Sequence, residues 1–205
     1  MKRVVAIGLM SAACGSVTPP DRPSPYAYGI LLPSGLELVF HWPEASLPVR
    51  IWADPSLEAH VGQGIRAWEA VSLFGEFRGV LTADSTAADV LVQRGPAEAF
   101  GNDPSVVLDC RGSTPVDVAL DTTIVLPFRT TLGARAGAAQ ADVEECLTIV
   151  ATHELGHTLG LLMHSDDPAD LMHESPTSAG PTRRDQITFT TLYHSVPSVR
   201  LPPGR

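Results

Sequence analysis

Positive charge is in short supply in this chain of 205 residues: 14 Lys and Arg stand against 23 Asp and Glu, for a net charge of −9. Nucleic-acid recognition needs a basic face to meet phosphates, so this balance argues against it. It does not separate a soluble enzyme from a binding module. Long apolar runs are lacking too. The N-terminal run at 4–13 is far short of the about 20 apolar residues that a membrane span requires. No internal repeat is present. The roughly 170 residues after a Pro-rich stretch are therefore read as one domain with its own core. Cysteine is scarce, at three: Cys14, Cys110 and Cys146.

What the chain does have is His153-Glu154-Leu155-Gly156-His157, with Gly160, His164 and Met172 downstream. On a helix, His153 and His157 leave the same face one turn apart and can share one zinc ion. Zinc held by neutral imidazoles acidifies water, and Glu154, beside the first ligand, is placed to take the proton. The five-residue pattern alone arises by chance in roughly one chain in a hundred of this length, so its surroundings decide. Gly160 lies where a left-handed residue ends a helix and turns the chain back. That break is required. On a continued helix His164 would sit about 10 Å beyond His157 and could not reach the same ion.

This stretch resembles the metzincin signature, a glycine and third histidine after H-E-x-x-H and then a methionine turn, and is most similar to the matrixin-type metallopeptidases. The resemblance implies an α+β zincin domain: a twisted, mainly parallel mixed sheet, two long helices, and a C-terminal helix after the Met-turn. It implies Met172, in Asp170-Leu171-Met172, as a hydrophobic floor beneath the metal. One departure stands out. The family places two residues between the glycine and the third histidine, whereas here Leu161, Leu162 and Met163 make three. His164 is the expected third ligand, with Asp166, Asp167 and His173 as alternatives. Ala88-Asp89-Val90-Leu91-Val92 resembles the third matrixin strand. A structural calcium ion is not legible, and no cysteine-switch propeptide is apparent.

Residues 1–14 read as an export signal, basic at Lys2 and Arg3 and then apolar. Ser11-Ala12-Ala13-Cys14 resembles a bacterial lipobox, which would lipidate Cys14; an ordinary cleaved signal is the alternative. Either route places the protein outside the cytoplasm, in the cell envelope or secreted. Cys110 and Cys146 then remain as an even pair for a disulfide tying the segment ahead of the catalytic helix to that helix's first turn. Two buried thiols are the alternative. Residues 15–34, rich in proline, suit an extended tether; 35–197 form the catalytic domain and 198–205 a tail.

Within the domain, strands are expected at 36–42, 47–52, 77–81, 89–93, 106–108 and 116–126. One should be an edge that accepts a substrate peptide. Asp54 is expected to cap a helix with Pro55 at its first position, burying Leu57, Val61, Ile65 and Trp68. Residues 128–141 read as a small-residue loop without ion ligands. Asp142 is expected to cap the catalytic helix, and Thr182 with Asp185 to open the last one. The function expected is zinc-dependent endopeptidase action on proteins or peptides by a monomer, with any membrane contact through lipid on Cys14. The alternative is an inactive binding module that kept the fold.

Overall fold

The computed structural model describes residues 23–95, 110–135 and 137–203. The export signal, Cys14, the first part of the tether and the strand expected at 106–108 lie outside the described residues.

Among the described residues, seven strands and three α-helices run in the order β1 (Ile30–Leu31), β2 (Glu37–Leu38), β3 (Val49–Ala53), α1 (Glu58–Val71), β4 (Gly79–Leu81), β5 (Val90–Arg94), β6 (Cys110–Ser113), β7 (Phe128–Ala134), α2 (Gln140–Thr158) and α3 (Arg183–Tyr193). The main sheet has the order β4-β3-β5-β7-β6 and is parallel except for β6, which runs antiparallel to β7 at one edge. This is the α+β, mainly parallel arrangement expected. Alternation drives it: in β3, Val49, Ile51 and Ala53 are buried while Arg50 and Trp52 are partly exposed. Asp89, just ahead of β5, accepts both the Arg50 backbone N–H and its guanidinium, pinning β3 to its neighbour.

Helices α1 and α2 pack side by side, α1 reaching β4 and α2 reaching β6 and β7. Leu57, Val61, Ile65 and Trp68 are buried along α1. Gly64 permits the close approach of the helices, since a Cβ there would stand 2.8 Å from Leu155 Cδ1 and 3.2 Å from Thr152 Cα. Two indoles grip α2: Trp68 Nε1 donates to the Thr152 carbonyl at 2.8 Å and Trp42 Nε1 to that of Thr158 at 2.9 Å. Each satisfies a polar atom while burying a large apolar surface.

Several expectations are corrected. The segment at 128–141 is no simple loop: its first half is β7, the longest strand, paired on both sides, with Phe128, Thr130 and Leu132 buried. Pairing to two neighbours satisfies its backbone, so small and polar residues suffice there. The reverse holds at 116–126, where the structure shows isolated bridges in place of a strand. Asp121 Oδ1 accepts from Thr123 N–H, and Thr122 takes a left-handed φ of 62°, which folds the segment into a turn. Of 36–42, the two residues Glu37 and Leu38 pair, against β1; Phe40 and Trp42 instead enter the core beside Phe128.

Neither expected aspartate cap of α1 or α2 forms. Asp54 spends its carboxylate on Ser56 N–H and Oγ, and α1 starts after Leu57. Helix α2 starts after Ala139, which leaves Asp142 in its first turn, where a negative charge suits the helix dipole, and Cys146 in its second. At the two ends of the expected domain, residues beyond it are buried. Tyr26, assigned to the tether, is buried, and Val199, assigned to the tail, is 2% exposed.

Candidate metal centre

Helix α2 carries His153, Glu154 and His157 on one face and ends at Thr158. Gly160, at φ 106°, closes it: Leu161 N–H donates to the Gly156 carbonyl and Gly160 N–H to that of His157, each at 3.1 Å. These are the two bonds of a Schellman motif. A Cβ on Gly160 would overlap the Phe40 carbonyl oxygen, so glycine is required on two counts.

Beyond Gly160, Leu161 is buried, Leu162 N–H donates to the Tyr28 carbonyl at 2.9 Å, and Met163 is 41% exposed. The extra residue is thus taken up in the loop, with Met163 turned to solvent and His164 turned to the helix. His164 Nε2 lies 3.2 Å from His157 Nε2, which lies 3.1 Å from His153 Nε2.

The outer nitrogens of the two helical histidines face backbone carbonyls: His153 Nδ1 is 2.7 Å from Leu171 O, and His157 Nδ1 is 2.6 Å from Leu161 O. A carbonyl can accept but not donate, so each Nδ1 carries the proton and each Nε2 turns a lone pair inward. Burial, reinforced by the neighbouring imidazoles, pushes His153 down to about 3, and burial pushes His157 down to about 4, so both rings are neutral at neutral pH. Two lone pairs facing each other at 3.1 Å repel unless a cation lies between them. Three nitrogens bound to zinc at about 2.0–2.1 Å in a tetrahedron stand about 3.3 Å apart, close to the spacings found. The donor set fits zinc. Among the described residues, His153, His157 and His164 form a group able to share an ion.

The other candidates are engaged elsewhere. Asp166 pairs with Arg184 at 2.6 Å, Asp167 Oδ1 accepts from Ala169 N–H, and His173 Nδ1 accepts from Ser175 N–H.

Met172 is fully buried and packs against Gly156 of the same helix that carries His153 and His157. Its turn is held by carboxylates. Asp185, fully buried at the start of α3, accepts from Leu171 N–H, Met172 N–H, Thr182 N–H and the Tyr26 hydroxyl. Thr182 and Asp185 form the expected capping box. Asp170 accepts from Ser165, Thr182 and Arg184.

Glu154 is 4% exposed, and burial pushes its carboxyl up to about 7 against the pull of a hydrogen bond from Thr114. A base with that value can both take and return a proton near neutral pH. Its neighbours come from the edge strand β6 and the residue after it. A Cβ on Gly112 would overlap the Glu154 side chain, and Thr114 Oγ1 donates to Oε2 at 2.7 Å. Sequence reading missed both residues; Thr114 lies 40 positions from Glu154, and no local pattern marks it. Cys110, at the start of the same strand, is disulfide-bonded to Cys146 of α2.

A family model described as Matrixin, of the peptidase M10 type, matches residues 59–193. No curated protein matches the chain.

Proposed function

The chain belongs to the matrixin family of metallopeptidases, and from that premise we propose that it is an active zinc-dependent endopeptidase. His153, His157 and His164 are its metal ligands and Glu154 its general base. The observation that carries this reading is the convergence of three Nε2 atoms, two of them fixed as acceptors by Leu171 O and Leu161 O.

Bound there, zinc supplies Lewis acidity that polarises a carbonyl and acidifies water. The remaining work falls to the protein. Glu154 takes a proton from the attacking water as the new C–O bond forms. It returns that proton to the amine nitrogen as the C–N bond breaks. Strand β6 is the antiparallel edge of the sheet and lies against Glu154, so it offers the backbone on which an extended peptide adds as a further strand.

The test is Glu154→Gln on zinc-loaded protein with a peptide library as substrate. The amide keeps the shape and cannot accept the proton, so zinc content should hold while hydrolysis falls by several orders of magnitude. Equal hydrolysis by variant and parent removes Glu154 from its role. No hydrolysis by the parent, with zinc bound, favours the binding-module reading.

Export through residues 1–14, with Cys14 as the lipidated N-terminus, belongs to the same proposal on the sequence pattern alone. Mass spectrometry of the mature N-terminus tests it: acylated Cys14 supports it, and a chain that keeps residue 1 overturns it.

A further inference from the structure

We propose that Thr114 is a positioning residue that fixes the orientation of the Glu154 carboxylate and so the place of its proton-accepting oxygen; this rests on the general-base reading of Glu154. The last torsion of a glutamate joins tetrahedral to planar carbon and is broad, so covalent geometry does not fix the plane of the carboxylate. Something outside the side chain must.

Strand β6 and the residue after it supply that constraint from both sides. Gly112 leaves room for the carboxylate, since a Cβ there would stand 2.6 Å from Glu154 Cδ and overlap Cγ and Oε1. Thr114 Oγ1 donates to Oε2 at 2.7 Å; the Glu154 backbone carbonyl, at 3.5 Å from the same hydroxyl, is too far to compete. Pro115 follows and biases Thr114 toward extended backbone.

Behind Thr114 stands Thr130, buried on β7, with its Oγ1 at 2.9 Å from Thr114 Oγ1. A hydroxyl has one proton to give. When Thr114 gives its proton to Glu154, the bond between the threonines is donated by Thr130, so the order runs from sheet to carboxylate. The relay anchors Oε2 to β7. Oε1, which has no hydrogen-bond partner among the described residues, is the oxygen left for the attacking water. Placing the reacting oxygen this way is the kind of orientation whose loss by about 1 Å costs on the order of a hundredfold in rate.

The test compares zinc-loaded parent, Thr114→Val, Thr114→Ser, Thr130→Val and Glu154→Gln for kcat, KM and zinc content. Thr114→Val keeps the shape and removes the hydroxyl. It should lower kcat roughly ten- to a hundredfold with KM and zinc unchanged. Thr114→Ser should recover kcat to within a few-fold, which a role in packing alone would not produce. Parent-like kcat in Thr114→Val, or equal loss in the Val and Ser variants, overturns the proposal. Should Thr114→Val fail to fold, Thr130→Val reads the same relay: a several-fold fall in kcat at constant KM supports it, and unchanged kcat overturns it. Glu154→Gln keeps the two readings apart. If that variant is inactive while Thr114→Val is unimpaired, the base assignment stands and the Thr114 role falls; if Glu154→Gln is active, the base assignment itself falls.

Discussion

Gly156 and Met172 meet with no room for a methyl group between them: a Cβ on Gly156 would overlap Met172 Sδ and stand 2.8 Å from Trp68 Cζ2. The thioether can swing aside. The indole cannot, because its Nε1 is bonded to the Thr152 carbonyl. Gly156→Ala is therefore expected to cost about 1–3 kcal/mol through overpacking, read as a lower urea midpoint. Gly62→Ala is the control. Its Cβ would meet Arg66 and Leu81 at 3.5 and 3.7 Å, ordinary contacts, and the helix should gain up to about 1 kcal/mol. Equal tolerance of both substitutions would sink the packing account.

The loop before the third histidine yields a contrast between neighbours. His164→Ala removes an inward nitrogen and should make zinc labile under a chelator that the parent survives. Met163→Ala, at an exposed position, should leave retention unchanged. Elemental analysis after chelator challenge reads both. Equal retention in His164→Ala and parent would take His164 out of the site and reopen Asp166, Asp167 and His173.

The Cys110–Cys146 bridge closes a sequence separation of 36 residues. On loop entropy alone its loss should cost about 3–4 kcal/mol. A Cys110→Ser, Cys146→Ser double variant should unfold at correspondingly lower denaturant. It should also bind peptides more weakly, because the bridge joins the edge strand to the helix that carries Glu154. A raised KM with zinc content intact is the expected pattern; an unchanged KM would show that pairing to β7 alone holds β6.

Tyr26 tests how far the folded unit extends. Its hydroxyl donates to Asp185 Oδ1 at 2.8 Å, while Asp185 keeps Leu171, Met172 and Thr182 as donors. Tyr26→Phe should cost about 1 kcal/mol, the net worth of one hydrogen bond whose acceptor keeps other partners. Parent-like stability would return Tyr26 to the tether.

Legibility in the sequence tracked the range of the interactions involved. His153, Glu154 and His157 were readable because helical spacing alone sets which side chains share a face. Gly160 was readable because the third histidine demands a break that few residues other than glycine provide. The capping box of Thr182 and Asp185 joins residues three apart, and it formed as expected. Asp54 and Asp142 have the composition of caps, yet Asp54 bonds its own loop and α2 begins ahead of Asp142. Several groups could satisfy the same helix ends, and composition does not rank them.

By itself, then, the sequence determined the helix that carries His153, Glu154 and His157, its termination at Gly160 and the last capping box, all of them set by bonds and steric limits among residues close along the chain. Tertiary structure alone decided that Phe128–Ala134 is a strand, that 116–126 is a turn, and that Gly112 and Thr114 enclose Glu154. A strand exists through its partners, and in β7 Leu132 has Arg94 on one side and Gly112 on the other, neither of them near it in sequence. The orientation of a carboxylate likewise depends on what lies across from it, and across from Glu154 lies a strand some 40 residues earlier.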